Sequence, residues 1–140
     1  MKAIYDKHSE LYEAMYSSFM NYPAEYAFYH KILRKYKCKS LLELGCGTGN
    51  LASLLLQHPY QYIGLDNSES MLKRARKKLP QQLFIKSKMQ KFTLPVKVDA
   101  CIFTGRTSSY LKTNNDVKKT FDSIKENLEA GGIVVFDIIN

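Results

Sequence analysis

The chain lacks the cysteine spacing of a disulfide-stabilised or zinc-binding protein. Its three cysteines, Cys38, Cys46 and Cys101, are an odd number and form no C-x-x-C pair. We therefore expect free thiols and a reducing, cytoplasmic environment. The three histidines, at positions 8, 30 and 58, are scattered along the sequence, so we expect no metal site.

Long apolar segments are also missing. No run approaches the roughly 20 apolar residues that span a bilayer, and the opening MKAIYDKHSE has no apolar core of a signal peptide. We therefore expect no membrane partner. The length of 140 residues suits one domain, and the 45% of hydrophobic residues can form a buried core, which argues against disorder.

Acidic residues are scarce, at 13 against 21 Lys and Arg, which gives a formal net charge of +8. A basic charge attracts nucleic acid or acidic ligands. The densest basic cluster, KRARKK at 73–78, contains no aromatic residues on which bases would stack. We interpret it as a solvated helix face near a helix C-terminus and do not expect a nucleic acid partner.

Strand-like and helix-like segments alternate from Ser40 onward. Before that point, apolar spacing predicts one helix over Ser9–Met20 and another that begins near Pro23. Continuous apolar strands separated by amphipathic helices predict an α/β fold, with a mostly parallel sheet covered on both faces. The predicted strands are SLLEL, YIGLD, LFIK, VDACIFT and GIVVFDII, and the predicted helices cover 50–57, 68–79 and a stripe of Val117, Phe121, Ile124 and Leu128 that ends at Gly131.

The segment LLELGCGTGN, residues 41–50, places three alternating glycines directly after the first strand. The dinucleotide-binding pattern G-x-G-x-x-G is broken at Asn50, and no G-K-[ST] follows as in a phosphate-binding P-loop. The pattern present is E-x-G-x-G-x-G, which begins at Glu43. Asp66 ends the second strand about 20 residues later, where a carboxylate can bind both hydroxyls of a ribose. The combination predicts a ligand that carries a nucleoside but needs no phosphate.

These motifs resemble those of class I, Rossmann-like S-adenosylmethionine-dependent methyltransferases of the small-molecule type. LLELGCGTGN is similar to the first motif of that family, GLDNSESML to the next strand and helix, VDACIFTGRTSSYL to the fourth strand and its loop, and EAGGIVVFDI to the fifth strand. The resemblance implies S-adenosylmethionine as cofactor and methyl transfer to a small-molecule acceptor. It also implies a helical lid over 1–38, followed by a Rossmann-like, cofactor-binding core over 39–140.

The resemblance assigns roles to individual residues. Glu43 would orient the methionine end of the cofactor, and Gly45 and Gly47 would lie beneath it. Asp66 would hold the ribose hydroxyls, and Met71 would lie near the adenine. The implied cofactor-binding set is completed by Cys46, Asn67, Met89 and Thr104. We interpret Cys46 as a small packing residue rather than a nucleophile.

Lys88 departs from the family pattern, which usually has an acidic residue here to accept the adenine amino group. A lysine has only donors, so we expect Lys88 to point to solvent. Tyr12, Tyr16 and Arg106 are the candidates for contacts with the acceptor. The sequence identifies no general base.

Two other functions stay open: a non-catalytic cofactor-binding or interaction module with the same fold, and a nucleic-acid methyltransferase. FTGR replaces the D/N-P-P-Y/F signature of amino-methylating nucleic-acid enzymes. The fifth strand is followed directly by Asn140, whereas family members continue with further strands. We expect either that the chain is the front part of a longer protein or that a second copy covers the strand edge as a homodimer.

Overall fold

A computed structural model describes residues 8–104 and 107–138, without the side chains of Ser9, Tyr12, Tyr16, Ser17, Phe19 and Ser109. Helices and strands alternate along most of this length. In chain order they are α1 (Ser9–Phe19), α2 (Tyr22–Lys35), β1 (Ser40–Leu44), α3 (Asn50–Leu55), β2 (Gln61–Asp66), α4 (Glu69–Lys78), β3 (Leu83–Lys86), β4 (Val98–Phe103), a 3₁₀ helix (Thr107–Tyr110), α5 (Asn114–Asn127) and β5 (Leu128–Phe136).

The five strands form one sheet in the order β3-β2-β1-β4-β5, and every pairing between them is parallel. The predicted α/β fold and its five strands are therefore confirmed. The strand order reverses between β1 and β4, and a ligand crevice forms at such a switch beyond the carboxyl ends of the strands. Glu43 of β1 and the glycine loop that follows β1 lie at this switch.

Both faces of the sheet are covered, as the continuous apolar strands predicted. On one face Leu41 packs in a cluster with Leu33 of α2 and Leu55 of α3. On the other face Leu42 packs in a second cluster with Ile124 of α5. Each fully buried side chain of this size contributes about 1.5–3 kcal/mol to stability, and burial on both faces therefore stabilises β1.

The predicted end of α5 at Gly131 was wrong, because the helix ends at Asn127 and β5 begins at Leu128. The buried Asn127 side chain accepts from Leu94 N at 2.8 Å and donates to Phe92 O at 3.2 Å. Leu128 then pairs with Val98 of β4. Its apolar side chain suits a helix stripe and a strand equally well, so periodicity alone placed it in the wrong element.

The two N-terminal helices were predicted correctly, although α1 does not bury its apolar repeat. Leu11 and Met15 are 59% and 57% exposed, while Glu13 turns toward the body of the protein. In α2, the Asn21 side chain accepts from Ala24 N at 3.1 Å and Pro23 lies in the first turn. The division into a lid over 1–38 and a core over 39–140 stays a prediction.

Two further expectations concern surfaces rather than the fold. Within the described ranges, no helix is both long enough and apolar enough to cross a membrane. β5 lies at one end of the sheet, and coverage of its free side by a second copy stays a prediction.

Candidate functional site

A cavity of about 360 Å³ opens at the carboxyl ends of β1, β2 and β4. All nine residues predicted for the cofactor side line this cavity: Glu43, Gly45, Cys46, Gly47, Asp66, Asn67, Met71, Met89 and Thr104. They come from four separate stretches of sequence, and the parallel sheet brings them to one edge. That these residues bind the cofactor stays a prediction, but their convergence is what a single ligand would require.

The glycine loop folds back onto the end of β2. The amides of Gly45 and Cys46 both donate to Leu65 O, at 2.8 and 3.1 Å. Gly45 has a φ of 65°, and a Cβ there would lie 2.6 Å from Thr107 Oγ1. The absence of a side chain therefore serves both the left-handed backbone conformation and the close approach of the 3₁₀ helix.

Asp66 braces the loop with both of its carboxylate oxygens. Oδ2 accepts from Gly47 N at 2.9 Å, and Oδ1 accepts from Ser68 N at 3.0 Å. A carboxylate offers about four lone-pair sites and can accept several hydrogens at once. The arrangement is compatible with a ribose diol, and it also gives Asp66 a structural role in the loop.

Glu43 is buried at the floor of the cavity, with 3% of its surface exposed. Burial raises the pKa of its carboxyl to about 8; the hydrogen bond from Tyr62 opposes this shift, and the charge of Asp66 adds to it. A buried acid with a raised pKa gains most from a cationic partner. The floor of the cavity is therefore suited to an ammonium group.

The side chains predicted near the adenine line another part of the cavity wall. Met71 is buried in the first turn of α4, after the N-cap Ser68, while Met89 is half-buried. Lys88 borders the cavity and is exposed, and its carbonyl accepts from Lys91 N at 3.3 Å. The absence of a contact between the Lys88 ammonium and the adenine stays a prediction.

Cys46 lies in the loop but is buried in the apolar cluster that contains Leu51. Burial raises the pKa of its thiol well above the ordinary value, and the charges of Glu43 and Asp66 raise it further. A thiol with so high a pKa is a poor nucleophile. The structure thus agrees with the interpretation of Cys46 as a packing residue.

Three residues reach the cavity from the N-terminal helices: Tyr22 and two acidic residues that sequence reasoning missed, Glu13 and Glu25. Glu13 accepts from Thr48 Oγ1 at 3.1 Å and from Lys78 Nζ at 3.0 Å. The hydroxyl of Tyr22 accepts from Asn50 Nδ2 at 3.3 Å. The sequence did place one acidic residue, Glu13, between the apolar positions Leu11 and Met15 of α1. This pattern did not show which element the helix would pack against.

Glu25 has an unusual environment. Its Oε2 atom is buried and has no hydrogen-bond partner in the described part of the chain, and the same holds for Thr104 Oγ1 across the cavity wall. Burial raises the pKa of Glu25; the nearby Thr104 hydroxyl opposes the shift, and the charge of Asp137 adds to it. Two open polar atoms on the wall of one cavity point to a ligand group.

The predicted acceptor-side candidates cannot be placed. The side chains of Tyr12 and Tyr16, and all of Arg106, lie outside the described residues. In the described ranges, no three or more His, Cys, Asp or Glu side chains cluster as a metal site would require. The expectation of a metal-free site therefore stays a prediction.

The basic cluster at 73–78 is partly neutralised. Arg76 pairs with Glu69 at 2.7 Å, Lys78 pairs with Glu13 at 3.0 Å, and Arg74 pairs with both Glu10 and Glu13. These contacts favour a solvated, ion-paired helix face, and the absence of a nucleic acid partner stays a prediction.

A family model described as "Methyltransferase domain" matches residues 41–132. The chain is similar to the dTDP-3-amino-3,4,6-trideoxy-alpha-D-glucopyranose N,N-dimethyltransferase of Streptomyces venezuelae. The two are 32% identical over 133 residues, and the aligned segment covers 93% of this chain and 56% of the relative. It is 35% identical over 102 residues to the putative methyltransferase YqeM of Bacillus subtilis, covering 70% of this chain and 41% of that protein.

Solved structures give the same result. DesVI of Streptomyces venezuelae matches with a TM-score of 0.85 at 31% identity, over 95% of this chain and 58% of that one. The S-adenosylmethionine-bound amino pentose methyltransferase CalS10 of Micromonospora echinaspora matches with a TM-score of 0.86 at 26% identity, over 93% of this chain and 56% of that one. The chain thus spans about half the length of these relatives.

Proposed function

The chain belongs to the Rossmann-like, S-adenosylmethionine-dependent methyltransferases, and on that premise we propose that it transfers a methyl group from this cofactor to a small-molecule nucleophile. One observation carries the proposal: Glu43, the glycine loop and Asp66 line a single cavity at the switch in strand order. Relatives whose names specify amino sugars support a small acceptor.

The charges around the cavity fit this cofactor. Four carboxylates line it, those of Glu13, Glu25, Glu43 and Asp66, and Lys88 is the one cation among the described lining residues. Glu13 is already paired with Lys78, and the raised pKa of Glu43, about 8, favours its protonated form at neutral pH until a cation binds beside it. Such a wall repels a phosphate and suits a cofactor that carries a sulfonium and an ammonium.

Each residue has a defined task in the proposed reaction. When bound, S-adenosylmethionine supplies an electrophilic methyl group on a positively charged sulfur. Glu43 would hold the ammonium of its methionine part, and Asp66 would hold its ribose hydroxyls. Met71 and Met89 would enclose the adenine and keep water away from it. Holding two reactants in line at contact distance contributes as much as about 7–11 kcal/mol to lowering a barrier.

We also propose that α1 and α2 form a lid over the core. The side chains of Glu13 and Glu25 support this, because both reach the cavity from the N-terminal helices. A cytoplasmic location is supported by the three cysteines, all of which are free thiols. A homodimer through β5 is supported by the position of that strand at the end of the sheet and by the exposed Phe136.

The proposed function is tested by calorimetry on the folded protein. We expect S-adenosylmethionine and S-adenosylhomocysteine to bind with micromolar-range affinity, about −8 kcal/mol, and we expect a nicotinamide dinucleotide to bind more weakly. A methyl-labelled cofactor then reports transfer to amines, carboxylates and nucleic acids. Absence of binding heat with both adenosyl ligands would overturn the proposal, and binding without transfer to any acceptor would favour a non-catalytic module.

A further inference from the structure

We propose that the acceptor is a small amine. Glu25 and Thr104 bind the nitrogen of this amine, and Glu25 takes up a proton from it. The inference rests on the proposed methyl transfer, for which it names the class of acceptor and two further site residues. It starts from two polar atoms that the fold itself leaves open.

Glu25 and Thr104 come from different elements but line the same cavity. Glu25 lies in the first turn of α2, and Thr104 directly follows β4. Glu25 Oε2 and Thr104 Oγ1 are both buried, and neither lies within hydrogen-bond distance of a partner in the described ranges. The Thr104 side chain is still close enough to Glu25 to oppose the rise of its pKa, so one ligand group can reach both. Since most buried polar atoms are paired, and leaving one unpaired destabilises a protein, two on one wall indicate a ligand group. An ionised Glu25 requires that this group donate hydrogen.

An amine fits this pair better than a hydroxyl does. A ligand hydroxyl can donate to Glu25 and accept from the Thr104 hydroxyl, but it carries no charge. A protonated primary amine carries three hydrogens and a positive charge, which makes its hydrogen bond to an ionised Glu25 a charge-assisted one. An ionised Glu25 is an acceptor only, and with Glu43 and Asp66 it makes this part of the cavity acidic. A cationic acceptor is therefore attracted to the cavity, in a protein whose overall charge of +8 would otherwise repel it.

The same carboxylate solves a chemical problem for an amine acceptor. A protonated amine has no free electron pair, so it must lose a proton before it can attack a methyl group. The proton passes from the nitrogen to Glu25 Oε2, and the products of this step are a neutral amine and a neutral carboxylic acid. Burial raises the pKa of Glu25, which makes it a better proton acceptor than an exposed glutamate. The proton returns to solvent when the product leaves.

A simpler role for Glu25 must be separated from this one. Acidic residues stabilise the first turn of a helix through the helix dipole, and Glu25 occupies that turn. A residue with only this role would affect the stability of α2 and would not distinguish one ligand from another. The test therefore compares ligands that differ only in the group placed beside Glu25.

The test uses the protein saturated with S-adenosylhomocysteine, titrated at millimolar concentrations with ethanolamine and glucosamine. Their hydroxyl counterparts, ethylene glycol and glucose, serve as matched controls. We expect the amines to bind more tightly than the hydroxyl compounds. Glu25→Gln should weaken amine binding by about tenfold or more, with Glu25→Asp intermediate, and both variants should keep the affinity for S-adenosylhomocysteine. Thr104→Val should also weaken amine binding. Glu126→Gln, at an exposed position of α5, should change none of these values.

Several outcomes would overturn the inference while leaving the proposed function intact. In one, the amines bind no better than their hydroxyl counterparts, or do not bind at all. In another, Glu25→Gln keeps full amine affinity. Loss of S-adenosylhomocysteine affinity in Glu25→Gln would instead assign Glu25 to the fold. If S-adenosylhomocysteine fails to bind the unaltered protein, the proposed function itself fails.

Discussion

The hydroxyl of Tyr62 donates a 2.6 Å hydrogen bond to Oε1 of Glu43 beneath the candidate cofactor cavity. Gly64 makes this contact possible. It pairs with Glu43 across the sheet, and a Cβ on Gly64 would lie 2.9 Å from the Tyr62 hydroxyl. The sheet thus holds a carboxyl group in a buried position, fixed by one donor and open to the cavity.

We expect Glu43 to make the unliganded protein less stable as the pH rises. Its pKa is raised from 4.5 to about 8, mainly by burial, so the native state binds a proton that the unfolded state has already lost. The free energy of unfolding should therefore fall between pH 4.5 and about 8, by at most about 1.4 kcal/mol per pH unit. Denaturant unfolding at a series of pH values measures this slope.

Glu43→Gln is the matched control for that series, because glutamine stays neutral throughout. The difference in unfolding free energy between the two proteins should change in favour of the Gln variant as the pH rises. Parallel curves for the two proteins across this range would contradict a raised pKa at Glu43.

We expect Asp66→Ala to weaken the binding of S-adenosylhomocysteine. The variant loses the acceptors for the ribose hydroxyls, at about 1.5–3 kcal/mol for each charge-assisted hydrogen bond, and it also frees the amides of Gly47 and Ser68. Asp66→Asn keeps one oxygen for an amide and should lose less. Calorimetry on both variants decides this, and an unchanged affinity in Asp66→Ala would remove Asp66 from the site.

The fold could be predicted from the sequence because its signals are local. Each strand is a short apolar run bounded by turn residues, and the parallel order follows from the alternation with helices. The nine cofactor-side residues then meet at one cavity because parallel strands end at the same edge of the sheet. Glycines and acidic strand ends mark that edge directly in the sequence.

The missed residues depend on contacts between distant parts of the chain. Glu13 and Lys78 are 65 positions apart, and the periodicity of α1 does not indicate which element it packs against. Its exposed Leu11 and Met15 even favoured the wrong face. The sequence did not distinguish Tyr62 from an ordinary strand residue. Its hydrogen bond to Glu43 depends on the missing side chain of Gly64, which only the folded sheet places beside the Tyr62 hydroxyl. Glu25 was missed because an acid in a first helical turn has a sufficient local explanation.

Lys88→Asp should leave the affinity for S-adenosylhomocysteine unchanged or improve it. Lys88 borders the cavity but is exposed, and its ammonium cannot accept a hydrogen from the adenine amino group. An aspartate there can accept one, which is equivalent to about 0.5–1.5 kcal/mol of tighter binding. Lys91→Asp makes the same charge change at an exposed position outside the cavity lining. A clear loss of affinity with Lys88→Asp alone would show that Lys88 contacts the cofactor.

The last prediction concerns the attachment of α1 to the core. Glu13 of α1 accepts hydrogen bonds from Thr48 in the glycine loop and from Arg74 and Lys78 of α4. Burial alone would raise the pKa of Glu13, but the hydrogen bonds from Arg74 and Lys78 outweigh it and hold the pKa below its ordinary value. The attachment should therefore be fully present above pH 4.5 and weaken as the pH falls below it.

Glu13→Gln removes the charge from this attachment at every pH. We expect it to destabilise the docking of α1 by about 1 kcal/mol. This is less than the about 1.5–3 kcal/mol of a hydrogen bond to a charged group, because Arg74 and Lys78 are partly exposed. Hydrogen exchange of the α1 amides measures the loss. Glu10→Gln is the matched control, because Glu10 lies on the same helix and pairs with Arg74 at 3.4 Å but is almost fully exposed. We expect this control substitution to have little effect on the exchange. If both variants exchange alike, Glu13 does not anchor the helix, and if only Glu13→Gln exchanges faster, α1 is held over the cavity by this one carboxylate.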